Sequence, residues 1–302
     1  MRLLRIGEHD HERPAVLVDE SDPVARDVST FVADFDGDFF AGDGLERLRA
    51  LIGSPAVSEF PAIDVTRTRL GPPIATPGQV ICVGLNYRDH AAESGMPVPT
   101  EPVLFNKAPG TVIGPNDDVL LPPGAQKVDW EVELAVVVGR QARYLESPED
   151  AEACIAGYAI SNDVSERAYQ LERGGQWVKG KSCETFNPLG PWLLTADELV
   201  HREALDLSLS VNGAQMQVGS TSNMIFRVDH IIWYVSQFMV LQPGDLINTG
   251  TPPGVGMGQE PARYLQEGDI MELAISQLGA QTQRCVRVDL ESKRAMADGG
   301  AA

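Results

Sequence analysis

The clearest pattern in the chain is an alternation that gives way to a wholly apolar run. Trp130, Val132 and Leu134 alternate with Glu131 and Glu133, and Ala135-Val136-Val137-Val138 follows without a break. Alternation marks a strand with unlike faces, and the continuous run marks one buried on both. Residues 130–139 therefore read as the strongest strand. Residues 80–84, 103–106, 119–121 and 158–162 read as further strands. Residues 205–211 alternate cleanly, and Asn212-Gly213 turns the chain into a second strand at 214–218. Val228, Ile231, Ile232, Val235, Phe238 and Met239 recur at helical spacing, which predicts an amphipathic helix over 228–241. Ser147-Pro148-Glu149-Asp150 has capping-box spacing, so a helix is expected to about residue 155. Residues 86–95 have room for one or two helical turns.

Turn signals divide the chain. Short strands at 1–6, 15–18 and 28–30 and a helix at 45–52 precede the turn-rich stretch Gly71-Pro72-Pro73 and Thr76-Pro77-Gly78. The expected organisation is a small N-terminal α+β domain at 1–72, a catalytic domain at 73–290 and a flexible tail at 291–302. Strands with closely spaced turns and few helices make the larger part a β-rich, α+β fold with peripheral helices.

Composition narrows the function. With 302 residues, 43% of them apolar, the chain can bury a sizeable core. A formal net charge of −19 argues against nucleic acid or an anionic membrane as partner. No apolar run has the length of a membrane span, and the first ten residues lack a signal-peptide core, so a cytoplasmic protein is expected. Cys82, Cys154, Cys183 and Cys285 form no CxxC pair and read as buried free thiols.

The candidate chemistry begins with Glu131 and Glu133. Side chains two apart on a strand share a face, and two neighbouring carboxylates repel. A divalent cation is the simplest compensation, and oxygen ligands point to Mg²⁺, Mn²⁺ or Ca²⁺. Asp163, at the end of the 158–162 strand, can add a third carboxylate. The competing reading is the exposed face of an edge strand. His90 and Glu93, three apart in a helical stretch, can form an imidazole–carboxylate dyad able to deprotonate water, or an incidental surface pair. Gly84 and Gly95 flank that stretch and could let it move as a lid. Lys181, Arg167 and Gln170 can meet a substrate carboxylate or enolate, and the backbone of Thr249-Gly250-Thr251-Pro252-Pro253-Gly254 can cradle an anion. His9, His11, His201 and His230 read as surface or capping residues.

Several stretches, in order, resemble the fumarylacetoacetate hydrolase family. They are Gly84-Leu85-Asn86-Tyr87-Arg88-Asp89-His90-Ala91-Ala92-Glu93, Glu101-Pro102-Val103-Leu104-Phe105-Asn106-Lys107, Glu131-Val132-Glu133-Leu134, Asn162-Asp163-Val164-Ser165-Glu166-Arg167-Ala168-Tyr169-Gln170, Lys181-Ser182, Pro188-Leu189-Gly190-Pro191-Trp192 and Thr249-Gly250-Thr251-Pro252. The resemblance implies a β-roll, a homodimer, and Mg²⁺ or Mn²⁺ held by Glu131, Glu133 and Asp163. It matches His90 and Glu93 to a water-activating dyad and Lys181 to a catalytic lysine. Arg167, Gln170 and Thr251 match substrate-contacting positions, and Tyr87, Lys107 and Gly250 are further candidate contacts in the same stretches. Glu166, Ala168 and Glu184 depart from the common pattern and could alter pocket polarity.

The function implied is hydrolysis of the C3–C4 bond of a 2,4-dioxo acid to pyruvate and a second acid. Segments 93–97 and 172–177 look like the branch acting on 2,4-dioxo-3-deoxy sugar acids such as fuconate or rhamnonate derivatives. Oxaloacetate decarboxylation, 2-hydroxy-dienoate isomerisation and a non-catalytic metal-binding protein are the alternatives.

Overall fold

The computed structural model describes residues 1–19, 22–93 and 97–288. The expected tail at 291–302 and the Gly95 end of the expected lid lie outside the described residues. Val132–Val138 is buried along its whole length. It lies inside a 12-stranded mixed sheet, between Ile155–Asn162 and Leu246–Asn248. The reading of an exposed edge strand is therefore corrected. The even-numbered side chains Val132, Leu134, Val136 and Val138 enter the largest apolar core. They meet Leu207, Leu209, Met271 and Leu273 of a second, five-stranded sheet there. The odd-numbered face carries Glu133, then Ala135 and Val137, and the last two enter a different core. That division explains the mixed pattern: one face is apolar throughout, and the other is polar only at its start.

Residues 1–72 supply strands Arg2–Ile6, Arg13–Leu17, Val24–Asp27, Ala62–Asp64 and Leu70–Gly71. Arg2–Ile6 pairs antiparallel with Asn187–Thr195, placing Leu3 opposite Leu193. Leu3, Val16, Phe35 and Leu48 share a core with Ala135, Val137, Ala159 and Leu189.

Local expectations shift in three places. The third strand is Val24–Asp27 rather than 28–30, because Val28 opens a turn that receives the amides of Phe31 and Val32. The capping box at Ser147 and Asp150 is present, but it starts a 3-10 helix, Pro148–Cys154. The amphipathic helix is Val228–Ser236, shorter than 228–241, since Leu241 pairs with Ala142 instead of continuing the helix. The helical turns expected after residue 86 are present as the helix Arg88–Glu93. All four cysteines are free, with Cys82, Cys154 and Cys285 buried and Cys183 partly so. Among the described residues, no helix is long and apolar enough to cross a membrane.

Candidate active site

Glu131 stands just before Val132–Val138, and its carbonyl accepts from the Asp163 amide at 2.9 Å. That bond carries the strand pairing past Asn162 and sets Asp163 beside Glu131. Glu133 follows two positions on, facing the same way. Carboxylate oxygens of Glu131, Glu133 and Asp163 lie within 4.8 Å of one another, and all three residues are buried.

Three cations surround the cluster. Lys181, on the short helix Val178–Lys181, donates to Glu131 Oε2 at 2.8 Å and Asp163 Oδ2 at 2.7 Å. Arg167 pairs through Nη2 with Glu131 Oε1 at 2.7 Å and donates through Nε to Asp129 Oδ2 at 2.8 Å. Lys107 bonds Asp163 Oδ1 and the Phe186 carbonyl. Glu133 differs. It accepts from the Gly250 amide at 2.8 Å, and among the described residues no lysine or arginine lies within ion-pair distance of it.

The electrostatics follow. Burial pushes the Glu133 carboxyl well above the usual carboxylate range, and the charges on Asp163 and Glu131 push it further. Burial pushes Glu131 up as well, but Lys181 and Arg167 outweigh it and hold the carboxyl low. Lys181 would lose its proton more readily through burial, yet Asp163 and Glu131 keep it charged. The cluster thus has one carboxylate that local cations do not satisfy, next to two that they do. Hard oxygen donors with a deficit of positive charge fit a divalent cation such as Mg²⁺ or Mn²⁺, held by Glu131, Glu133 and Asp163.

A cavity of about 290 Å³ opens over the cluster. Glu131, Glu133, Lys181, Arg167, Gln170, Thr251 and His90 line its polar side. His90 Nδ1 meets Glu93 Oε2 at 3.1 Å, so the expected dyad is formed, and the Glu93 carboxylate also accepts from the Gly254 amide at 3.0 Å. Thr251 donates to the Val132 carbonyl and accepts from Gln217, which anchors it.

Three expected contacts do not line the cavity. Lys107 sits behind Asp163, Gly250 gives its amide to Glu133, and Tyr87 is in the core with a buried hydroxyl that has no hydrogen-bond partner among the described residues. The 249–254 loop does cradle anions, but those it holds are the protein's own carboxylates. Glu166 is also turned away from the cavity. It caps helix Arg167–Leu171 by accepting from the Tyr169 amide at 2.6 Å, and it receives the amides of Gln126 and Lys127. The departure at Glu166 therefore serves local structure, and the expectation that it alters pocket polarity is corrected. His9 and His201 are exposed, and His230 stacks on Phe226.

Sequence reasoning missed the apolar wall of Leu85, Phe105, Leu171, Trp177 and Met257. Trp177 meets Phe105 edge-to-face at 5.2 Å. It also missed Asp129, fully buried, whose carboxylate receives Arg167 and the amides of Gly256 and Met257. The Asp129-x-Glu131-x-Glu133 spacing was the available signal.

A family model described as the C-terminal region of fumarylacetoacetate (FAA) hydrolase matches residues 79–286. A 2,4-didehydro-3-deoxy-L-rhamnonate hydrolase from Sphingomonas sp. (strain SKA58) is 45% identical over 94% of this chain and 95% of its own length. The structure of a 2-hydroxyhepta-2,4-diene-1,7-dioate isomerase from Mycobacterium marinum, 35% identical, superposes with a TM-score of 0.73 over 95% of this chain and 98% of that one. A maleylpyruvate hydrolase from Sphingobium sp. SYK-6, 29% identical and solved with manganese(II) and pyruvate, superposes at 0.79 over 96% of this chain and 100% of that one. The chain belongs to the fumarylacetoacetate hydrolase family and has its mixed-sheet fold with few helices.

Proposed function

We propose that the protein is a divalent-metal-dependent hydrolase that cleaves the C3–C4 bond of a 2,4-dioxo acid, releasing pyruvate and a second acid. The observation that carries this reading is the convergence of His90, Lys181, Glu131 and Glu133 on one cavity, with Glu93 bonded to His90 behind it and Asp163 bonded to Lys181 beside the other two carboxylates. Pure binding needs no paired base. When held by Glu131, Glu133 and Asp163, Mg²⁺ or Mn²⁺ would supply Lewis-acid polarisation of the substrate's 2-oxo group.

The chain's own groups do the rest. Glu93 takes the Nδ1 side of His90, which leaves Nε2 to accept a proton from water. The resulting hydroxide attacks C4. The C3–C4 bond breaks, its electron pair passes into the pyruvate enolate, and a proton then returns to C3. The ammonium of Lys181 meets the developing enolate charge. Arg167 and Gln170, joined at 3.0 Å, present donors to the substrate carboxylate. The apolar wall excludes water from the remainder of the cavity.

The rhamnonate hydrolase relative supports a sugar-acid derivative as the tail. A homodimer in the cytoplasm belongs to the same reading. The likeness to the Mycobacterium marinum isomerase favours a second one, 2-hydroxy-dienoate isomerisation on the same residues. The discriminating experiment assays pyruvate release from a panel of 2,4-dioxo acids and from oxaloacetate, and isomerisation of a 2-hydroxy-dienoate, with Mg²⁺, with Mn²⁺ and with chelator. Metal-dependent release from a dioxo acid is expected. Isomerisation of a dienoate without pyruvate release from any panel member would refute the hydrolase.

A further inference from the structure

We infer that loop 254–258 is a seat that positions the Glu93 carboxylate, and that Gly258 is a positioning residue for the His90–Glu93 pair. The inference rests on the proposed role of that pair. Glu93 meets this loop at two points. The Gly254 amide donates to both of its oxygens, at 3.0 and 3.2 Å. A methyl group built on Gly258 would lie 2.8 Å from Glu93 Cδ and 3.0 Å from Cγ, so the missing side chain at 258 makes the room the carboxylate occupies.

The seat is firmly held. Gly254 has φ +103°, and a side chain there would strike the Met216 carbonyl at 2.0 Å. Its carbonyl accepts from Trp130 Nε1 at 3.1 Å. The amides of Gly256 and Met257 donate to the buried Asp129 carboxylate at 2.6 and 3.0 Å. Glu93 lies on the short helix Arg88–Glu93, more than 150 residues away in sequence, yet the Gly254 amide orients it. Orientation matters because a carboxylate fixes the imidazole tautomer only when held in line with Nδ1.

Gly258 has no left-handed φ, so alanine meets no backbone strain there. The atoms in its way are the far end of a flexible side chain. An added methyl therefore displaces Glu93 and leaves the loop intact.

The test is Gly258→Ala, assayed for pyruvate release from acetylpyruvate (2,4-dioxopentanoate) with Mn²⁺. A fall in kcat of about tenfold or more is expected, since general-base catalysis contributes at least that much. KM and calorimetric Mn²⁺ affinity should stay within about twofold, because the carboxylate cluster is untouched. In a Glu93→Gln background the added change should cost less than about twofold more, as coupled sites are non-additive. Trp130→Phe, which removes the indole N–H on Gly254, should lower kcat by about threefold and be absorbed by Glu93→Gln in the same way. Wild-type kcat in Gly258→Ala, or a loss that multiplies onto that of Glu93→Gln, would overturn the seat. Full activity in Glu93→Gln would instead overturn the dyad itself, so the two failures are distinguishable.

Discussion

Glu133→Gln should make the metal-free protein more stable and make it indifferent to Mn²⁺. Glu133 is buried beside Glu131 and Asp163, with carboxylate oxygens within 4.8 Å. Two like charges at that distance repel by about 3 kcal/mol at an effective dielectric near 20, and Lys181 offsets part of this. The Gly250 amide can still donate to the glutamine oxygen, so little else is lost. The sign follows from the raised carboxyl. Its ordinary value is 4.5, and the folded protein binds the proton more tightly than the unfolded chain does. Above pH 4.5 the unfolded chain releases a proton that the folded protein retains, so wild-type stability falls as pH rises, until the folded group titrates. The slope is about 1.4 kcal/mol per pH unit. The assay is thermal unfolding in chelator at several pH values, for wild type and variant. The variant should match wild type near pH 4 and melt higher at pH 7, by about 4 °C for a gain of about 2 kcal/mol. Adding Mn²⁺ at about a hundred times its Kd should stabilise wild type by about 2.7 kcal/mol and leave the variant nearly unchanged. A variant that melts below wild type in chelator at neutral pH, or one that keeps the full Mn²⁺ response, would refute the reasoning.

Three further outcomes are expected. His90→Ala should lower pyruvate release by about a hundredfold or more while isothermal titration shows Mn²⁺ binding within about threefold of wild type. Lys181→Met leaves Glu131 and Asp163 without their shared cation, so chemical denaturation in chelator should show a loss of about 3–5 kcal/mol. Glu166→Ala removes a helix cap and the acceptor for the Gln126 and Lys127 amides, which should lower stability by about 2–3 kcal/mol in a urea titration and leave Mn²⁺ affinity unchanged.

Much of the site was legible because it is local. Glu131 and Glu133 are two apart on a strand, so their shared direction follows from the pleat alone. His90 and Glu93 are three apart on a helix, so their contact follows from the helical repeat. The apolar run 135–138 predicted burial on both faces, and both faces are buried. The ordered stretches that carry the family resemblance are also runs of neighbouring residues, and they fall at or within the matched residues 79–286.

Tertiary structure decided which groups satisfy which. Lys107 has the sequence context of a substrate contact, but its ammonium bonds Asp163 and the Phe186 carbonyl, 56 and 79 positions away. The amides of loop 249–257 could have served any anion, and they serve Glu133, Glu93 and Asp129. Trp177 and Met257 face one cavity from elements 80 positions apart. Such pairings leave no period in the chain, because they depend on how separate elements pack rather than on the geometry of one. The residue types at the site therefore follow from sequence. Their division into ligands, base, supports and wall follows from the sheet that brings Val132–Val138, Ile155–Asn162 and Leu246–Asn248 side by side.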